Sequence, residues 1–130
     1  MPKPKSKTQK KIDNSVRIAL TACCDEALKD IPGFQWLTHQ ADYANFPASL
    51  FITCVFDKQS EQQAAQENGQ AFAFQKLIQS RLLKIGITFK KLDAQIMFDS
   101  EEACTLDHNG DWPKRLASRA GRAVGKNRPH

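Results

Sequence analysis

Ile12, Val16, Ala19, Cys23, Ala27 and Ile31 recur three or four positions apart, with Leu20 and Leu28 beside them. That period predicts one amphipathic helix over about residues 9–30. Pro32-Gly33 stops it, because proline pushes the preceding residue out of helical geometry and glycine frees the turn. Phe34 to Tyr43 alternates as a strand, with Phe34, Trp36 and Thr38 on one side and Leu37 and His39 on the other. Asn45-Phe46-Pro47 is turn chemistry. Ser49 to Phe56 is apolar at both alternating sets of positions, so it is read as the central strand.

Ser60-Glu61-Gln62-Gln63 has capping-box spacing and opens a second helical region, broken or kinked at Asn68-Gly69 and stopped at Gly86. Phe72, Leu77, Ile78, Leu82 and Ile85 carry its apolar face. Ile87 to Phe98 reads as one strand, interrupted around Asp93. Ser100-Glu101-Glu102 caps a short helix with acids at its positive end, and His108-Asn109-Gly110-Asp111 forms a turn. Pro113 opens a last helix that fades near Gly121 and Gly125. The order helix, strand, strand, broken helix, strand, helix predicts an α+β fold, a small and mostly antiparallel sheet with helices packed on one face.

At 130 residues the chain fits one domain of the usual size of about 100–150 residues. The expected organisation is a disordered basic arm over 1–8, the α+β domain over 9–117 and a basic extension over 118–130. No apolar run approaches the ~20 residues of a spanning helix. Leu20-Thr21-Ala22-Cys23 looks like a lipoprotein cleavage box, but Asp13, Asn14, Ser15 and Arg17 interrupt the apolar stretch such a signal needs. A cytoplasmic location follows. Cys23, Cys24, Cys54 and Cys104 form no C-x-x-C pair, and adjacent cysteines bridge poorly, so free thiols are expected.

Charge changes the picture more than composition does. The chain is +5 overall, but residues 1–17 carry +5, residues 113–130 carry +6 and the body between them carries −6. Basic ends attract polyanions by counterion release and steering. The candidate nucleic-acid-binding residues are therefore Lys3, Lys5, Lys7, Lys10, Lys11 and Arg17 at one end, and Lys114, Arg115, Arg119, Arg122, Lys126 and Arg128 at the other. Arg115, Arg119, Arg122 and Lys126 are spaced four, three and four apart, which predicts an exposed basic stripe on the last helix.

Two further groups are weighed as chemistry. Asp99, Glu101, Glu102, Asp107, His108 and Asp111 offer oxygen ligands for a hard cation, but capping and turn formation account for the same residues. His39 near Tyr43 has acid–base potential, yet no nucleophile stands beside it in sequence, so a structural histidine is the reading. No catalytic residue, cofactor or metal is expected.

The element order distantly resembles that of the second type of KH domain, although that family's Gly-x-x-Gly turn is reduced here to Asn68-Gly69. A closer likeness rests on Lys11-Ile12-Asp13-Asn14, Phe34-Gln35-Trp36-Leu37-Thr38-His39 and Asp42-Tyr43-Ala44-Asn45-Phe46-Pro47. Asp99-Ser100-Glu101-Glu102-Ala103-Cys104 and His108-Asn109-Gly110-Asp111-Trp112 extend it. Over roughly residues 10–117 these segments are similar to a small proteobacterial family whose members often carry the label "Fis-family transcriptional regulator". The resemblance implies a DNA-associated regulator. No helix-turn-helix spacing is read in the chain. The expected function is non-catalytic nucleic-acid binding through the basic termini, with DNA ahead of RNA and no membrane. The alternatives are a protein-interaction module using the acidic body, an RNA or ribosome accessory factor, and a metal-dependent nuclease.

Overall fold

The chain is seen in a computed structural model that describes residues 7–124, with side chains described to residue 118. Helix α1 spans Lys7–Asp30 and buries Val16, Leu20, Cys23 and Ala27, the stripe its periodicity predicts. Leu28 is exposed instead of joining it. Lys7 and Thr8, assigned above to a disordered arm, form the first turn of α1. Gly33 turns the chain at φ +83°, where a Cβ would lie 2.4 Å from the Glu61 carboxyl carbon, so only glycine fits.

Strands β1 (Phe34–Gln40), β2 (Phe51–Phe56) and β3 (Ile96–Ser100) form one sheet in the order β1-β2-β3. Every residue of β2 is buried, and it is the central strand as its two apolar faces require. The β1–β2 pair is antiparallel and the β2–β3 pair parallel, making the sheet mixed. The parallel step follows from the connection: helices α2 (Gln59–Glu67) and α3 (Gln70–Leu83) carry the chain back before β3 begins. The break between them falls at Asn68-Gly69. Helix α2 starts two residues early, with Lys58 rather than Ser60 as its cap and the Glu61 carboxylate accepting the Lys58 N–H at 3.0 Å.

The single strand expected over residues 87–98 is not formed. A short helix α4 (Leu92–Gln95) precedes β3, and Ile87, Phe89 and Leu92 pack against the core outside the sheet. Buried Gln95 fixes this segment: its Oε1 accepts the Lys91 N–H, and its Nε2 donates to the carbonyls of Leu50 and Pro47. The outer carbonyls of β3 are capped as well, Ile96 by Gln75 at 2.9 Å and Phe98 by Gln62 at 3.3 Å. Such capping protects an exposed sheet edge from pairing.

One face of the sheet carries Leu37, Ile52, Cys54, Phe56 and Ile96 into a core shared with α1 and α3. There Phe34 meets Phe56 and Phe74 edge to face. Helix α5 (Glu101–His108) is capped by Ser100 Oγ, which accepts the Ala103 N–H, and ends at Asn109 with φ 53°. Helix α6 (Trp112–Val124) then crosses the opposite face, an addition to the one-sided packing expected. Trp112 meets Trp36 at 4.8 Å between ring centroids. Among the described residues no helix is long and apolar enough to cross a membrane.

Candidate nucleic-acid interface

Helix α1 runs antiparallel to β1: Cys24 faces the Leu37 backbone, and eleven residues nearer the helix start Asp13 meets His39. The first turns of α1 therefore stand at the Gln40 end of the sheet, where exposed Lys7, Lys10 and Lys11 project. The end of α3 comes up to the same place, because Ile85 and Ile87 share a cleft with Thr8 and Lys11. Exposed Lys84 precedes that turn, and exposed Lys90 and Lys91 follow in the segment held by Gln95 to Pro47. The Gln40 side chain donates to the Leu116 carbonyl, so α6, already over Trp36 at Trp112, heads toward this end too.

The opposite end of the sheet is acidic. Asp57 lies against Gly33, Glu102 against Asp57 and Gln59, and Glu61 against Gly33, with Asp30 one turn away. Of the body that sums to −6 in sequence, Asp30, Asp57, Glu61 and Glu102 gather at this end, beside Lys29 and Lys58.

Of the residues proposed from sequence, Lys7, Lys10, Lys11, Arg17 and Lys114 are exposed. Lys3, Lys5, Lys126 and Arg128 lie outside the described residues, as do the side chains of Arg119 and Arg122. Arg115 is a correction. Its side chain is only 12% exposed and grips Asp99, itself 4% exposed, through Nε at 2.6 Å and Nη2 at 2.9 Å. Nη1 also reaches Asp107 Oδ2 at 3.2 Å. Hydrogen bonding to Asp99 raises the guanidinium's pKa against the opposing effect of burial. The helical stripe aligned Arg115 with Arg119 and Arg122, but the fold turns it inward.

The remaining carboxylates of the acid-rich segment hold the fold together. Glu101 accepts from both indoles, Trp36 Nε1 at Oε2 and Trp112 Nε1 at Oε1, each at 2.7 Å. Glu102 accepts the Gln59 N–H, and Asp111 accepts the Lys114 N–H at the start of α6. No group of His, Cys, Asp and Glu able to hold a metal ion is found among the described residues.

Asp13, His39 and Tyr43 meet along a groove of about 610 Å³ between α1 and β1, with Arg17 at its rim. Asp13 accepts from Tyr43 Oη, from Arg17 at 2.6 Å and lies 3.1 Å from His39 Nε2. Burial opposes its charge, but these hydrogen bonds outweigh burial and hold the carboxyl well below the usual carboxylate range. Burial and the same hydrogen bond raise the Tyr43 phenol. A depressed carboxyl contributes stability above its unfolded pKa of about 3.9 and loses it as pH falls toward the folded value. Asp13→Asn should therefore flatten the acid side of the stability profile below about pH 5, read as urea midpoints across pH. An acid limb identical to wild type would show that Asp13 carries no such linkage.

All four cysteines are free. Cys23, Cys54 and Cys104 are buried and Cys24 is partly exposed. Burial raises all four thiols, Cys23 to about 11. Titration of the native protein with an aromatic disulfide reagent should label Cys24 ahead of the others, with four groups reacting after denaturation. Two groups in the denatured protein would reveal a disulfide.

Lys84, Lys90 and Lys91 are exposed lysines at this end of the sheet that sequence reasoning did not single out. Their signal was present as three bases with no acid between positions 84 and 92. No family model matches the chain, and neither a curated protein nor a solved structure matches it.

Proposed function

We propose that this is a non-catalytic nucleic-acid-binding protein that grips phosphate backbones with its basic pole. One observation carries the reading: Lys7, Lys10 and Lys11 of α1 gather with Lys84, Lys90 and Lys91 at one end of the sheet. Six exposed ammonium groups on one end outnumber the carboxylates Asp42 and Asp93 beside them and would orient the molecule in the field of a polyanion. Phosphate contacts of this kind position a protein without reading bases. The DNA-associated regulatory role implied by the resemblance, in the cytoplasm, fits that chemistry, and the basic residues at both termini would lengthen the contact.

The acidic pole favours a second reading, a module that docks a basic protein surface through Asp57, Glu61 and Glu102. Fluorescence anisotropy with labelled duplex and single-stranded oligonucleotides, titrated with salt, separates the two. Saturable binding that weakens steeply with salt supports the nucleic-acid reading. No binding to DNA or RNA at low salt ends it and leaves the docking module.

A further inference from the structure

Within the basic pole lies a surface that phosphate chemistry does not explain. Ile12, Phe46, Pro47, Ile85 and Ile87 line an apolar cleft of about 400 Å³, with Thr8, Lys11 and Ser15 along its helical wall. That volume falls within the range of about 300–1,000 Å³ typical of ligand sites. Ile85 is 42% exposed, and neighbouring Leu83 is 55% exposed. Ile85 stands at the mouth of the cleft beside Lys84 and across from Lys11, so an occupant that is both apolar and anionic would match the cleft and its rim.

The helical wall explains the arrangement. Thr8, Lys11, Ile12 and Ser15 follow the three-and-four spacing of one face of α1, and Lys7 lies one turn before Lys11 on that face. Exposed Lys84 immediately precedes Ile85, which lines the other side of the cleft. The Phe46 ring forms part of the floor and is backed by Tyr43, 5.0 Å away and tilted by 31°. Packing against Tyr43 and the core fixes the ring before any ligand arrives.

We propose that this cleft takes an unstacked nucleobase of a single-stranded nucleic acid, while Lys7, Lys11 and Lys84 hold the flanking phosphates. The inference rests on the nucleic-acid reading and adds to it a preference for single strands. An apolar floor with a fixed aromatic ring, between two banks of ammonium groups, combines the two elements that bind single strands: base stacking and a cationic track. A duplex presents its phosphates but keeps its bases stacked inside, so it would satisfy the lysines and leave the cleft empty. Stacking accepts any base, so the preference is for strandedness and not for sequence.

The test compares binding of a single-stranded oligodeoxythymidine of about ten nucleotides with that of an abasic strand carrying the same number of phosphates. A stacked base should make the thymidine strand bind about tenfold more tightly. Ile85→Asp, a change at an exposed turn, should erase that difference. Phe46→Leu keeps apolar bulk but removes the ring face, and should reduce the difference with a circular dichroism spectrum like wild type. Equal, salt-sensitive binding of both strands, unchanged in both variants, would overturn the cleft assignment and leave the phosphate reading standing. Failure of both strands to bind at low salt overturns the cleft assignment and the phosphate reading together. Binding of an acidic amphipathic peptide or of anionic vesicles, lost in Ile85→Asp while neither strand binds, would assign the cleft to that partner instead.

Discussion

Replacing Arg115 by glutamine should cost the fold about 3 kcal/mol or more, because it takes the counter-charge from a buried carboxylate that keeps the Ser100 N–H. Asp99 is 4% exposed and both of its oxygens are held by the guanidinium, at 2.6 Å and 2.9 Å. Asp99→Asn should be similarly damaging from the other side, leaving a guanidinium that is 12% exposed without its main counter-charge. Asp107→Asn is the control. Asp107 is 64% exposed and touches Arg115 only at 3.2 Å, so screening by water keeps its effect within about 1 kcal/mol. Urea denaturation of the three variants gives the ranking directly. The double replacement Arg115→Met with Asp99→Leu should recover much of the loss, since removing both charges strands neither. An Arg115→Gln protein as stable as wild type would show that this pair is worth nothing and free Arg115 to serve as a surface cation.

The consequence reaches function. Exchanging Arg115, Arg119 and Arg122 together would confound a loss of phosphate contacts with a loss of folding, because one of the three ties α6 to β3. Its neighbours Trp36, Glu101 and Trp112 belong to the same fastening. Two indole N–H groups converge on one carboxylate, so Glu101 joins the edge strand to α6 across the second face of the sheet. A half-buried carboxylate with two donors is satisfied, and it orders the helix that would otherwise have little apolar surface to bury.

Elements whose information is local were legible in the sequence. The stripe of α1, the Ser100 cap, the Asn109-Gly110 turn and the doubly apolar β2 each depend on neighbours within a turn or a strand. What escaped depends on partners far along the chain. Ile87, Phe89 and Leu92 have the composition of a strand, and only the hydrogen bonds of Gln95 to Pro47 and Leu50 show them as plugs outside the sheet. The direction of β3 follows from the path through α2 and α3, which periodicity does not encode. Asp99 and Arg115 are sixteen positions apart, and no spacing rule pairs a strand residue with a helix residue on another layer. Asp13 and His39 are separated by twenty-six positions, so their meeting across the α1–β1 groove was equally hidden. Averaging charge over residues 18–112 concealed Lys84, Lys90 and Lys91, because carboxylates at the far end of the sheet cancelled them in the sum.

That cancellation leads to the expectation with the widest reach. If the six lysines of the basic pole each neutralise one phosphate of duplex DNA, log affinity should fall against log salt with a slope near −5. Raising salt from about 50 to 200 mM would then weaken binding about a thousandfold. Changing Lys84, Lys90 and Lys91 to glutamine should make the slope shallower by about 2.7, and changing Lys7, Lys10 and Lys11 should do the same. Both sets are exposed, so folding should be nearly unaffected. Lys29→Gln and Lys58→Gln, toward the acidic end, form the matched control and should leave the slope alone. Single-stranded DNA should show a smaller loss per lysine, about 0.7 against 0.9, because its charge density is lower. The informative comparison is between the two lysine sets. A slope that responds to Lys7, Lys10 and Lys11 but ignores Lys84, Lys90 and Lys91 would confine binding to the chain termini. An equal response would mean that a strand of phosphates crosses the end of the sheet from α1 to the turn after α3. A slope that neither set changes would remove the basic pole from nucleic-acid binding altogether.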